Sequence, residues 1–515
     1  MTRRSPASVP TCRVRAAPIT DPAAALAAGR PTLVWRAQVA DTETPVAAAL
    51  KLMESGRGDF LLESVEGGAT RGRHSILGLA PDLIFRARGD TAEINRRWPH
   101  DRDAWERCPQ PSLAALRSLA EQVRCEVDPA LPRALTCLVG YFGYETVGLV
   151  ESLAQPEADP LGLPDMMFVR PTVLLVFDRL ADALFLVAPA WPDPARDPAA
   201  MVAEAEARLD AVAARLAAAP LPTPVRAQAA EPTYTPALDP ARYAAAVARA
   251  QDYIAAGDIF QVVLAQRFST PFPLPPFELY RSLRRINPSP FLYHLDLPGF
   301  ALTGSSPEIL VRVRDGEVTI RPIAGTRPRG RTVAEDEANR AGLLADPKER
   351  AEHLMLLDLG RNDAGRAAAP GSVRVTESYT VELYSHVMHI VSNVVARLAP
   401  GRDALDALFA GFPAGTVSGA PKVRACQIIA ELEPERRGPY AGGVGYFSPD
   451  GSLDSCIVLR TAVVKDGVIH AQAGAGIVAD SDPAAEQREC EAKAGAILAA
   501  ARDAVTRAAD QNYGQ

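Results

Sequence analysis

The stretch "DPARYAAAVARAQDYIAAGDIFQVVLAQRF", residues 239–268, joins a helix to a strand with little more than a turn between them. Asp239 is a good N-cap. Pro240 suits the first helical position, where its missing N–H has no partner to lose, and Gly257 stands just past the far end. These signals predict a helix over 240–256. The next stretch, 258–268, reads as a strand, with the polar Gln261 interrupting its apolar run over 259–264.

Working outward, Asp315-Gly316 and Asp466-Gly467 read as two-residue hairpin turns, and Asp450-Gly451 as a third. Helices are expected at 347–359, at 420–433 and, opened by Asp482-Pro483, at 483–509. Helix-period segments packed on antiparallel hairpins make this an α+β fold of layered antiparallel sheets flanked by helices. Upstream, residues 30–190 mix short apolar runs with turn signals, and "MVAEAEARLDAVAARLAAA", 201–219, predicts a surface helix. The proline-rich segment 220–236 has no periodicity and reads as a linker. The expected organisation is therefore a flexible N-terminal arm over 1–29, an N-terminal region over 30–230 and a second region over 231–515. Its opening stretch "MTRRSPASVPTCRVRAAP" is basic and acid-free like a transit peptide, but it lacks the apolar stretch of a secretory signal.

Bulk properties exclude several classes of function. A net charge of −7 with interspersed signs offers no basic stripe for nucleic acid. No apolar run approaches the roughly 18 residues of a membrane span. Seven scattered cysteines without a CxxC pair fit free thiols in a reducing cytoplasm. Of 55 basic residues only five are lysine, at 51, 348, 422, 465 and 493.

Certain residues carry chemistry. Glu352 sits on the helix near 347–359, and Glu486, Glu489 and Lys493 share one face of the last helix. Two carboxylates from two rigid helices suit Mg²⁺, a hard ion that keeps several waters; exposed ion pairs are the alternative. "GFPAGTVSGAPKVRA", 411–425, is a glycine-rich turn before a helix, either an anion cradle or a plain junction. "RPIAGTRPRG", 321–330, reads as a cationic loop around a small anion, with Ala324 the odd apolar member. Arg460 falls inside the apolar run 456–464, which reads as one strand, and needs either a carboxylate ligand or a structural salt bridge. Alternation places His386 and His389 on opposite faces of a strand.

Together, "GDIFQVVLAQRF", "GSSPEILVR", "RPIAGTRPRG", "ERAEHLMLLDLGRND", "FPAGTVSGAPKVRA", "YAGGVGYFSPDG", "IVLRTA" and "QAGAGIVADSDP" resemble, in order and spacing, the chorismate-utilising enzymes. The N-terminal "LLESVEGG", "GRHSILG" and "GYFGYE" are similar to the anthranilate synthase large subunits within that family. The resemblance implies Mg²⁺ bound by Glu352 and Glu489, Glu308 as general acid, and His389 in turnover of the intermediate. Gln261 stands at a catalytic position where isochorismate and salicylate synthases carry a lysine base. Gly325, Thr326, Thr416, Tyr440, Arg460, Gly474, Gly476 and Lys493 are implied contacts of the substrate.

Ala324 stands where aminodeoxychorismate synthases carry a lysine that reacts covalently, and an alanine cannot. The implied reaction is therefore chorismate plus ammonia to anthranilate and pyruvate, the first committed step of tryptophan biosynthesis. No cysteine sits in a glutaminase elbow, so the resemblance implies a separate glutaminase subunit in a heterotetramer of two large and two small chains. Leu62, Glu63 and Ser64, with Asn287, Pro288, Ser289 and Pro290, match the family's tryptophan inhibitor site, which makes 30–230 a regulatory region and 231–515 the catalytic one. Leu292 occupies a position where methionine is common. A non-catalytic homologue would have lost Glu308, Glu352 or Glu489, and all three are present.

Overall fold

The computed structural model describes residues 21–66, 70–223, 225–226, 230–384 and 387–510. Cys12, His386 and the first twenty residues of the expected arm lie outside these. Within the expected arm, Pro22–Ala27 is helical. Asp21 accepts the Ala23 N–H at 3.1 Å, and Leu26 is buried against Ala190 and Met201.

The expected elements recur with shifted ends: helices at Pro198–Ala218, Pro240–Ala255, Lys422–Leu432 and Pro483–Ala509, and a helix at Pro347–Ala367 that outruns its expected end. Asp239 and Asp482 cap their helices through side chains that accept N–H groups of the first turn. Helices at Pro276–Ile286 and Val333–Ala345 were not expected; the second is capped by Thr332, whose hydroxyl accepts the Glu335 N–H. Both Asp-Gly pairs close tight hairpins with positive φ at each residue, the mirror-image turn whose twist matches that of the strands.

Among the described residues the strands form two twelve-stranded sheets and a two-stranded ribbon. The named pairings in both large sheets are antiparallel, as the α+β reading requires. The inner faces share one core, in which Tyr141 of one sheet meets Phe300 of the other edge-on at 5.9 Å. Pro276–Ile286 and Pro483–Ala509 cover an outer face through Leu279, Leu283, Ile497 and Ala501.

The division at residue 230 follows the sequence and not the sheets. Asp59–Glu63 pairs with Phe291–Leu297 in one, and Leu138–Phe142 pairs with Gly443–Phe447 in the other.

The chain changes sheet twice at one place. Phe300–Ser306 lies in the first sheet and Ile309–Arg314 in the second; Leu453–Ile457 lies in the second and Thr461–Lys465 in the first. The two crossings are bonded to one another, Ile457 N–H to Glu308 O at 3.1 Å and Ser305 N–H to Arg460 O at 3.2 Å. The apolar run 456–464 is therefore not a single strand: Arg460, with φ of 47°, sits in the break between two. Both flanking strands are buried, so the hydrophobic pattern runs on across the gap.

Beside the crossings lies a buried ion pair. Arg437, 2 % exposed, donates to both Glu433 oxygens at 2.8 and 2.6 Å, to Val417 O at 2.7 Å and to Val263 O at 2.7 Å. Its guanidinium also lies over the rings of Tyr144 and Tyr440. Glu433 accepts the Ala265 N–H at 2.8 Å, which satisfies the carboxylate further. One side chain thus ties the strand Gln261–Pro271 to the loop carrying Thr416. Glu433→Ala should lower the unfolding free energy by about 3–5 kcal/mol, since it strands a buried cation. Arg133→Ala, at a fully solvated pair with Asp315, should change it by less than about 0.5 kcal/mol. Paired denaturant titrations read the contrast, and equal midpoints would refute it.

Candidate active site

The two crossings place Glu308 and Arg460 together. Glu308 is 7 % exposed, and burial pushes its carboxyl up to about 8, against the opposing pull of the Thr416 hydrogen bond and the Arg460 charge. Thr416 Oγ1 donates to Glu308 Oε1 at 3.1 Å. At neutral pH the acid is held protonated, as a proton donor must be. The half-buried Arg460 guanidinium makes no hydrogen bond or ion pair with any described residue. Burial presses on its charged form, with Tyr384 and Glu308 countering. The structural salt bridge that the sequence left open is absent among the described residues, and an anionic ligand fits the gap.

His389 follows on the strand Val387–Arg397, opposite Thr326 of Ile323–Pro328. Its Nδ1 lies 3.1 Å from Gly325 O and 3.0 Å from Thr326 Oγ1. A carbonyl can only accept, so Nδ1 carries the proton and Nε2 is left basic. Burial, the largest influence, lowers the pKa of the ring and keeps it neutral.

Ala324 is buried in the same strand. The small-anion reading of 321–330 fails, because its arginines are already neutralised: Arg321 by Glu382, Arg327 by Asp346 and Glu349, Arg329 by Asp336. A strand forms there in place of a loop.

Across the site, Gln261 opens the strand Gln261–Pro271, where the sequence reading had it interrupting one; Phe260 before it bonds to Ala420 O. Gln261 lies over Gly476, where a methyl would come within 2.3 Å of its amide nitrogen. Gly474 leaves room for the Tyr440 hydroxyl in the same way, a methyl there falling 2.9 Å from it. Lys493 donates to Gly474 O at 2.9 Å and pairs with Glu489 at 2.7 Å.

Glu352, on the facing helix, is raised above its ordinary pKa first by desolvation and then by the charges of Glu349 and Glu489. Glu486 is raised as well, with Glu489 among the causes. These carboxylates resist one another's ionisation, and Lys493 neutralises Glu489; no group of three or more His, Cys, Asp or Glu side chains is gathered as a metal cluster among the described residues.

A separate cavity of about 620 Å³ lies between the sheets. Leu62, Glu63, Ser64, Pro290 and Leu292 line it; Asn287, Pro288 and Ser289 do not. Their motif is structural at its start: Asn287 O receives the Ser305 hydroxyl, and Ser289 is buried. Glu63 is buried, and its carboxyl is held below the ordinary range, the charge and hydrogen bonds of Arg284 outweighing burial with help from Tyr280 and Arg179. Sequence reasoning missed Asp454. Its Oδ2 takes Arg312 and Arg314, while Oδ1 is buried without a hydrogen bond and its residue lines the cavity. Charge alternation in "RVRD" against "LDS" is too common a pattern to have found it.

No helix among the described residues is long and apolar enough to cross a membrane. The family model for chorismate binding enzymes matches residues 62–499. Anthranilate synthase component 1 of Cereibacter sphaeroides is 52 % identical over 478 residues, covering 93 % of this chain and 96 % of the relative. The Thermus thermophilus protein of the same name is 49 % identical over 465 residues, covering 90 % and 96 %. Among solved structures, anthranilate synthase component I of Streptococcus pneumoniae superposes with a TM-score of 0.73 at 36 % identity, over 83 % of this chain and 92 % of that one. The menaquinone-specific isochorismate synthase of Escherichia coli shares the fold, with a TM-score of 0.68 at 19 % identity over 92 % and 94 %. With a buried acid, an unneutralised arginine and a neutral histidine assembled at the junction of its sheets, this chain belongs to the chorismate-binding enzymes, and within them to the anthranilate synthase component 1 group.

Proposed function

We propose that the chain converts chorismate and ammonia to anthranilate and pyruvate, is supplied with ammonia by a separate glutaminase subunit, and is inhibited by tryptophan. The observation that carries the chemistry is the apposition of a protonated Glu308 with an Arg460 that no described residue neutralises. Arg460 and Tyr440 grip the enolpyruvyl carboxylate; Thr416, Gly474 and Lys493 surround the remaining carboxylate and ring. Mg²⁺ held by Glu352 and Glu489 would draw electron density towards the ring carboxylate. Glu308 gives its proton to the hydroxyl that leaves ring carbon 4 as ammonia adds at carbon 2. Gln261, neutral and fixed above Gly476, cannot activate water as a base, and ammonia needs no such activation. His389 Nε2 is the base for the later proton removal, after which pyruvate departs and the ring aromatises. Ala324 closes the covalent route.

The 620 Å³ cavity is the effector site in this reading. The apolar part of its mixed lining suits an indole, its charged residues suit the groups of an amino acid, and Asp454 Oδ1 is an acceptor for an N–H. A reducing cytoplasm and a heterotetramer of two large and two small subunits complete the proposal.

The direct test is the product formed by the purified chain from chorismate, Mg²⁺ and an ammonium salt, by fluorescence and mass. Anthranilate is expected; isochorismate or an amine that keeps its enolpyruvyl group would overturn the assignment.

Three further outcomes are expected. First, kcat/KM should fall as pH rises through about 8, where Glu308 loses its proton. Thr416→Val removes a bond that favours the ionised form, so the alkaline limb should move to higher pH; a limb displaced downward would count against Glu308. Second, Glu489→Gln should abolish Mg²⁺-dependent turnover while circular dichroism stays unchanged, and retained activity would remove Glu489 from the site. Third, Ser64→Leu and Asp454→Asn should each raise the tryptophan inhibition constant at least tenfold, on the order of 1.4 kcal/mol, and superimposable inhibition curves would sink the cavity assignment.

A further inference from the structure

The effector cavity and the reacting groups lie on opposite sides of one thin layer of chain. Pro307 and Ile309 line the cavity, and Glu308 stands between them. Ile323 lines it too, two residues before Gly325, whose carbonyl fixes the His389 tautomer. One side chain occupies both sides at once. Tyr384 lines the cavity, is 8 % exposed, and sets its ring edge-on to His389 with centroids 5.4 Å apart. Arg460 and Glu308 are both within its electrostatic reach.

The anchors of Tyr384 are few and point the same way. Its hydroxyl donates to Glu382 Oε2 at 3.0 Å, and Glu382 also holds Arg321; both of these residues line the cavity. Its carbonyl accepts from Arg329, itself clamped by Asp336, and its N–H bonds to Val387 O where the strand bearing His389 begins. The ring is therefore fixed by the cavity wall at its hydroxyl end and packs against the catalytic imidazole along its edge. A ligand that crowds the wall or draws Arg321 away from Glu382 must shift the ring. A shifted ring removes the packing that orients His389 against Gly325.

We infer that Tyr384 is the positioning residue through which occupation of the cavity is transmitted to His389. This rests on the reading of the cavity as the tryptophan site. A residue that carries coupling differs from one that carries binding: its loss leaves the effector bound but without effect.

The test uses the full-length chain with chorismate, Mg²⁺ and ammonium salt, comparing wild type with Tyr384→Leu and Tyr384→Phe. Tryptophan binding is measured by calorimetry, and activity is measured with and without saturating tryptophan. In Tyr384→Leu the dissociation constant should stay within about threefold of wild type. Meanwhile the fraction of activity surviving saturating tryptophan should rise at least fivefold, on the order of 1 kcal/mol of coupling. The loss should fall on kcat and not on the KM for chorismate, because His389 acts after binding. Tyr384→Phe keeps the ring against His389 but cuts its hydroxyl bond to Glu382, so it too should escape inhibition, with a smaller loss of kcat than Tyr384→Leu, which guards against an effect of misfolding. Unaltered residual activity in a Tyr384→Leu chain that binds tryptophan overturns the inference and leaves the cavity assignment standing. A wild-type chain that binds no tryptophan overturns the cavity assignment, and the coupling falls with it.

Discussion

Everything around the site depends on the need of two neighbouring segments to leave one sheet and enter the other at the same level. A strand that leaves its ladder exposes backbone donors and acceptors, and buried ones must be satisfied. Here the two crossings satisfy each other, through Ile457 to Glu308 and Ser305 to Arg460. That solution brings Glu308 and Arg460 together at the crossing. The same enclosure that raises the pKa of Glu308 bears on Arg460, so a carboxyl held protonated and a guanidinium that no described residue neutralises arise from one topological fact.

The surrounding residues hold that pair in place. Arg437 and Glu433 fasten the strand Gln261–Pro271 to the loop of Thr416, with Tyr144 and Tyr440 beside the guanidinium. A buried pair of this kind contributes little net stability relative to an apolar replacement, but it fixes register, because the fork is shared between one carboxylate and two carbonyls of separate segments. Gly474 and Gly476 complete the shape by omission, giving up side chains so that Tyr440 and Gln261 can lie close.

Much of the fold was legible in the sequence because local chemistry and tertiary structure agree. Asp239, Pro240 and Gly257 mark a helix that needs no partner to be recognised, and the Asp-Gly turns impose their hairpins. The reading failed where tertiary structure overrides local pattern. Residues 456–464 look like one strand because burial continues across the break at Arg460. The cations of 321–330 look free because Asp336, Asp346, Glu349 and Glu382, which neutralise them, lie elsewhere in the chain. Of the proposed site residues, Glu308, Thr416 and Arg460 lie together, whereas Asn287, Pro288 and Ser289 are not on the cavity wall. Arg437 escaped notice since "PERRGPY" gives no hint that one of its two adjacent arginines is fully buried and the other is not.

The interleaving of the first 230 residues with the remainder has a consequence for how such a chain can change. Each large sheet draws five of its twelve strands from before the linker. Excising that part would leave Phe291–Leu297 and Gly443–Phe447 with bare edges, each a template for aggregation. The cavity and the buried acid beside it therefore do not sit on detachable modules. A descendant can reshape the cavity only one side chain at a time, inside a wall built from the same segments that hold Glu308 and Tyr384, so every such change is felt on the far side of that wall.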